Sequence, residues 1–306
     1  MPHFLITGGT GLVGSHLVEK LLEHQENKIF ILTRSDRTSK TKNLIYINWK
    51  KRDWENQVPD IDVVINLAGA TLNQHWTASH KQHMMRSRIQ STHALYHLFK
   101  SRAQKPSVLF NASAMGYYPP SLTHAYTEQF KTLPHDFLSE IVYQWEKQAD
   151  LFEMLGTRVI KGRFGLILSN QGGALPMMSL PYRYWVGGKI GHGKQWYSWI
   201  HLDDLVQSIL FLIRQPDAKG VFNLNAPLPE TQNDFGFILG KVLHRPHYTR
   251  MPSFILRLLL GEMSTLMLDT QYMVPERLQE MNFHFQYPEL TDALQNIYKS
   301  SNSSVH

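Results

Sequence analysis

The chain is 306 residues long, with 42% hydrophobic and 18% charged residues, a formal charge of +6 and no cysteine. These values describe one large globular domain, or a domain with a smaller lobe, and exclude disulfides, thiolate metal sites and thiol catalysis. Lys and Arg are scattered, so no nucleic-acid-binding patch is expected, and no apolar run reaches the ~18 residues of a membrane span. The first residues already read as a strand rather than a signal peptide, and with no cysteine a cytoplasmic location is the expectation.

The opening run Pro2–Thr7 is apolar enough for a strand buried on both faces. Gly8-Gly9-Thr10-Gly11-Leu12-Val13-Gly14 follows, and Leu12 to His24 reads as an amphipathic helix. Strand, glycine turn and helix make a pyrophosphate-binding arrangement. The glycines let the backbone approach phosphates, and the helix start offers free N–H groups at the positive end of its dipole. Gly14 lets the helix lie against the sheet. A plain strand-to-helix turn is the simpler alternative.

Lys28–Thr33 is the second strand. Its tip, Thr33-Arg34-Ser35, is where such folds select their cofactor. An acidic residue there would bind the ribose hydroxyls of NAD, whereas Arg with a nearby Ser suits the 2′-phosphate of NADP. The nearest acid is Asp36, two residues beyond Arg34. NADP(H) is therefore expected over NAD, with a solvated loop charge as the plainer reading of Arg34. Leu44–Trp49 is a third strand and Asp62–Ala70 a fourth, ending in Leu67-Ala68-Gly69, small enough to let a cofactor lie over the sheet edge.

A long helix is expected over 77–102. Its His93 and His97 have the i, i+4 spacing of two zinc ligands, but Ala94 stands where a zinc protease carries Glu, and no metal site is expected. Ser107–Ser113 is the fifth strand, and the loop Ala114–Pro120 after it carries Tyr117 and Tyr118. Ligands in an open parallel sheet sit at the carboxyl ends of the strands, so Ser113, Tyr117 and Tyr118 are on the edge that faces substrate. A helix over 136–155 and a sixth strand over 157–168, broken by glycine, complete the alternation, which predicts a right-handed, doubly wound parallel sheet. Beyond Ser169 the chain turns rich in Met, Tyr, Trp and Gly. Asp203 and Asp204 suit the N-cap and first turn of a helix to Arg214, and Val221–Asn225 is a further strand. Helices are expected over 231–243, 252–260, 274–281 and 288–298, before a frayed tail. The organisation is thus a Rossmann-type nucleotide-binding domain over 1–170, with 198–225 returning to its sheet. A smaller, mainly helical C-terminal lobe follows, over 171–197 and 226–300, with 301–306 as the tail.

Thr7–Gly14, the strand-end Leu67-Ala68-Gly69 and Trp199-Ile-His-Leu-Asp-Asp204 resemble the extended short-chain dehydrogenases, the group that includes nucleotide-sugar epimerases. More narrowly, the chain resembles their atypical epimerase-family (YfcH-like) branch. The supporting segments are Asn66–Ala70, Trp76-Thr77, Ser87-Arg88, Ala114–Tyr118, Trp145-Glu146, Gly172–Ala174 and Gln195–His201. The resemblance implies a Rossmann-type fold that binds NADP, with that branch's own C-terminal domain. Extended short-chain dehydrogenases use a Tyr-x-x-x-Lys pair in which Lys lowers the Tyr pKa for proton exchange with substrate. Aligning Glu146 with the glutamate after that Lys puts Leu138 and Val142 at the Tyr and Lys positions. A literal Tyr143/Lys147 string lies five residues on, rotated by about 500°, or 140° net, from the expected face. Arg88 stands where extended members usually carry Asn, and is grouped with the cofactor-binding residues. Only Ser113 matches.

Two readings stand on this basis. One is an NADP-dependent oxidoreductase or epimerase-like enzyme acting on an unidentified small molecule, with Ser113 and Tyr117 polarising the substrate, Tyr117 and Tyr118 as the nearest proton sources, and Glu128 and His201 as weaker ones. The other is a non-catalytic NADPH-binding sensor or scaffold. Neither the substrate nor an oligomeric state can be read from the residues.

Overall fold

The computed structural model describes residues 2–302 except residue 73. Seven parallel strands form the central sheet: β1 (His3–Thr7), β2 (Lys28–Thr33), β3 (Leu44–Asn48), β4 (Val63–Asn66), β5 (Val108–Ala114), β6 (Arg158–Phe164) and β7 (Gly220–Leu224). Their spatial order is β3-β2-β1-β4-β5-β6-β7, and every pairing is parallel. The order reverses between β1 and β4, which opens a crevice at the carboxyl ends of those two strands.

Successive residues of a strand point to opposite faces, and this chain makes both faces apolar. Phe4, Ile6, Ile29, Ile31, Ile65 and Phe110 face one side, under α1 (Leu12–Leu22) and a helix over Leu202–Arg214. Leu5, Phe30, Leu32, Val64 and Leu109 face the other, under α2 (Ala78–Lys100) and α3 (Phe137–Asp150). In α1 the buried positions are Gly14, Leu17, Val18 and Leu21, a 3.6-residue stripe. The sheet is therefore doubly wound, a Rossmann-type fold as the alternation predicts.

Elements end where local chemistry ends them. The N-cap Thr77 of α2 accepts the His80 amide, and Asp136 and Ser139 form a reciprocal capping box at α3. The sixth strand stops at Phe164, and Gly165, where a Cβ would lie 2.3 Å from the Ser198 carbonyl oxygen, lets the two backbones approach there. The chain resumes as Leu166–Leu168, now paired with Trp199–His201. Similarly, β4 ends at Asn66 rather than running to Ala70.

The helix over Leu202–Arg214 is capped differently from the expectation. Its N-cap is His201, whose Nδ1 accepts the Asp203 amide at 3.1 Å. Both acids lie in its first turn, as expected, and also make tertiary contacts. Asp203 meets His16 of α1 at 2.5 Å, and Asp204 accepts the amides of Gln286 and Tyr287.

A separate core joins Leu168, Leu175, Tyr182, Tyr197 and Trp199 to Phe235, Leu239, Leu290, Leu294 and Ile297. Short pairings tie this region down, with Ala125–Tyr126 on Tyr272–Met273 and Gly188–Ile190 on Thr249–Met251. The last helix, Leu290–Asn302, enters the stretch read as a frayed tail; residues 303–306 lie outside the described residues.

Candidate functional site

At the end of β1 the chain turns on Gly8, whose φ of +69° favours glycine. A Cβ at Gly8 would lie 2.6 Å from the Leu67 carbonyl oxygen, and one at Gly14 would lie 2.2 Å from the Gly8 carbonyl oxygen. Both collisions are with backbone, which cannot rotate away. Gly9 is buried against Ile31, with 2.9 Å from its notional Cβ to Cγ2. The turn closes through the Gly11 amide donating to Gly8 O at 2.9 Å. Thr10 and Gly11 are exposed, and Gly11 is the N-cap of α1 with no side-chain cap. The first amides of α1, those of Leu12, Val13 and Gly14, therefore start a helix that no side chain closes off. The loop at Gly172 runs beside Leu12. This cradle fits a dinucleotide pyrophosphate.

The neighbouring strand ends complete the crevice. Leu67 and Ala68 donate their amides to the carbonyl and hydroxyl of Thr7, at 3.1 and 3.2 Å. A buried ladder sets these ends in register: Thr7 donates to Asn66 at 2.5 Å, and Asn66 donates to Asn111 at 2.6 Å and to Thr92 at 2.8 Å. Gly69 is exposed, and a Cβ there would meet the Arg88 guanidinium at 3.0 Å. At the tip of β2, Thr33 is buried and donates to Ser35 O, while Arg34 and Ser35 are exposed. Asp36 is held by Lys51 at 2.8 Å and Asn48 at 3.2 Å. Those bonds hold its carboxyl below the usual range.

The catalytic candidates meet a different environment. Ser113 is 2% exposed and donates its hydroxyl proton to Glu146 at 2.5 Å. Glu146 in turn accepts both arms of Arg163, at 2.9 and 3.0 Å. Arg163 also donates to the Tyr118 phenol oxygen at 2.9 Å, and Tyr118 bonds Asn223 at 2.8 Å. Burial pushes the Tyr118 phenol up to about 12, against the pull of Arg163. Tyr117 lies under the Arg163 guanidinium, 3.3 Å from ring to Cζ, and its hydroxyl bonds the backbone of Thr132 at 3.3–3.4 Å. Tyr117 and Tyr118 are thus walls and struts of one buried network.

Leu138 and Val142, the residues aligned above with the usual Tyr and Lys, lie on α3. Val142 packs with Tyr117, Tyr118 and Tyr126, and Leu138 is the neighbour of Gly116. Tyr143 and Lys147 meet each other, with Nζ 4.5 Å from the ring centroid and Lys147 exposed. Glu128 is half-buried; one carboxylate oxygen accepts the Asn223 amide and the other has no partner, and burial raises its pKa. His201 is spent as a cap, with its pKa lowered by burial.

Arg163 and Asn223 were not singled out from sequence. The available signal was Arg163 at a position of strand 158–164 set to be buried, and an Asn between Phe222 and Leu224, each of which must find partners once buried. A cleft of about 260 Å³ is lined by His75, Trp76 and Thr77 and by Leu260, Gly261 and Glu262, and Lys81 pairs with Glu262 beside it. No helix among the described residues is long and apolar enough to cross a membrane.

Residues 4–149 match the NAD dependent epimerase/dehydratase family, and residues 251–297 match a domain of unknown function, DUF1731. An epimerase family protein of Staphylococcus epidermidis is 60% identical over 98% of this chain and all of its own length. Another, from Staphylococcus saprophyticus, is 58% identical over 97% of this chain and 99% of its own. The crystal structure of human epimerase family protein SDR39U1 with NADPH matches with a TM-score of 0.87 and 29% identity, covering 97% of this chain and 99% of that one. The fold also matches Bacillus cereus UDP-glucuronic acid 4-epimerase, TM-score 0.79 at 15% identity, over 99% of both chains. With the glycine cradle at the start of its sheet and the DUF1731 segment at its end, this chain belongs to the epimerase family.

Proposed function

We propose that the chain is an NADP(H)-dependent oxidoreductase or epimerase-like enzyme of the atypical extended short-chain dehydrogenase class. One observation carries the reading: a phosphate-shaped glycine cradle lies beside a strand tip that exposes Arg34 and Ser35 while the nearest carboxylate in sequence, Asp36, is tied to Lys51 and Asn48. A free carboxylate there would repel a 2′-phosphate and select NAD. The structure of human SDR39U1 with NADPH supports the same choice.

Gly8, Gly9, Thr10, Gly11, Leu12, Val13 and Gly14 would hold the pyrophosphate, Thr33, Arg34 and Ser35 the adenosine end, and Leu67, Ala68 and Gly69 the face over the sheet. When bound, the nicotinamide supplies hydride exchange at a carbon bearing oxygen. The protein's part follows from the hydrogen-bond directions. Because Ser113 gives its proton to Glu146, its oxygen offers only lone pairs and orients a substrate hydroxyl rather than polarising a carbonyl. Tyr117 shapes the wall beside it.

The second reading is a non-catalytic NADPH-binding protein. Its support is that neither candidate phenol at this corner is free: Leu138 and Val142 stand at the positions aligned with the usual pair, and Tyr117 and Tyr118 are both engaged. Calorimetric titration with NADPH and NADH tests the cofactor assignment. NADPH should bind more tightly than NADH, and Arg34→Ala should weaken NADPH by roughly 10–100-fold, the value of a charge-assisted contact, with little change for NADH. Equal binding of both nucleotides, unaffected by the substitution, would remove the NADP reading. Deuteride transfer from deuterated NADPH to a panel of ketones and aldehydes separates the enzyme from the binding protein.

A further inference from the structure

Arg88 is a half-buried charge with no ion pair among the described residues. It projects from α2 to the crevice, with its guanidinium against Gly69 and over the Trp145 ring at 5.2 Å. Nη1 donates to the Met84 carbonyl oxygen at 3.0 Å, and among the described residues Nε and Nη2 have no acceptor.

Other arginines of this protein are treated differently. Arg163 has both arms on Glu146. Arg158 donates to the carbonyls of Leu212, Ile213 and Ala218, and Arg102 to those of Glu55 and Pro59. For Arg88, burial alone pulls the pKa down to about 10, with no carboxylate near enough to oppose it. The hydroxyl of its neighbour Ser87 is already the acceptor for the Ala70 amide. A desolvated, unpaired guanidinium is costly unless something completes it, and this one stands at the strand end that borders the crevice. A planar fork with free N–H groups matches the oxygens of a phosphate or carboxylate.

We propose that Arg88 is an anion receptor of the crevice, completed by a phosphate or carboxylate oxygen that lies over Gly69. The anion is either a phosphate of the dinucleotide or an acidic group on the substrate. The first source rests on the cofactor reading above; the second does not.

The test titrates NADP+ into the free protein and oxalate into both the free and the NADP+-saturated protein, for wild type, Arg88→Gln and Arg88→Lys. Thermal denaturation of each unliganded variant is recorded alongside. Because the cation is uncompensated, unliganded Arg88→Gln should melt no lower than wild type. If the cofactor is the source, Arg88→Gln weakens NADP+ by at least ~10-fold and Arg88→Lys recovers part of the loss. If the substrate is the source, NADP+ affinity is unchanged, and oxalate binds the NADP+-saturated wild type but not Arg88→Gln. The proposal is overturned if NADP+ and oxalate are indifferent to Arg88→Gln, or if that variant melts well below wild type with anion binding intact. Should NADP+ fail to bind wild type, the cofactor reading falls by itself, and oxalate binding to the free protein decides Arg88.

Discussion

The two ends of the crevice are built on opposite plans. At the β1 end, the glycine turn and the start of α1 leave backbone donors facing outward, with no side chain to close them. At the β5 end, Ser113, Glu146, Arg163, Tyr118 and Asn223 satisfy one another in a closed chain of hydrogen bonds. Open donors wait for an anion, whereas a closed network holds shape. The difference teaches that the positions matching the family's catalytic corner are here mainly a rigid wall, and that the clearest unspent binding capacity lies in the glycine turn, Arg34 and Arg88.

The largest effect should come from breaking the closed end. Glu146→Ala strands the buried Arg163 and should cost about 3–5 kcal/mol of stability, read by urea denaturation. A loss below about 1 kcal/mol would mean that the network is not a structural unit. Next, Gly14→Ala sets a Cβ into the Gly8 carbonyl, a contact of 2.2 Å in the present geometry. It should destabilise by about 1–3 kcal/mol and abolish NADPH binding in calorimetry, because the helix start must back away from the turn. Retained binding would show that the open end is not the cradle.

A smaller effect sharpens the contrast through pH. Burial raises the Glu128 pKa in the folded state, so the protonated form is favoured there. Its contribution to stability is fully present below the ordinary carboxylate pKa and is lost as pH rises through the raised folded value. Glu128→Gln should therefore gain on wild type as pH rises from the acid range to neutrality, in denaturation series run side by side. A constant difference across pH would contradict this. The smallest effect is expected at the literal Tyr-x-x-x-Lys string. Lys147→Ala removes only an exposed cation–π contact with Tyr143 and should change stability by less than about 1 kcal/mol and NADPH binding not at all. Loss of binding or turnover would restore that pair as a candidate.

Local sequence made the open end legible. Its glycines, its strand and its helix lie within one continuous stretch, and each residue type is dictated by backbone geometry at its own position. The alternation of apolar strands with amphipathic helices likewise predicts the doubly wound sheet, since period and burial are local properties. The closed end was not readable in the same way. Ser113 meets Glu146 from 33 positions away, and Tyr118 meets Asn223 from 105 positions away. Sequence alone could mark Ser113 as a match and Tyr117 as a loop tyrosine, but not where their protons go.

The same division holds for the acids and cations. The residues after β2 show that Arg34 precedes Asp36; only the folded chain brings Lys51 and Asn48 to occupy that carboxylate. They show an acidic pair at 203–204; packing turns one acid toward His16 and the other toward the amides of 286–287 and leaves the cap to His201. By itself the sequence determined the sheet and the glycine cradle, because these depend on residue type and short spacing. Tertiary structure alone decided which polar groups are spent on one another and which, like Arg88, are left for a ligand, because pairing across long separations is settled only when the elements pack.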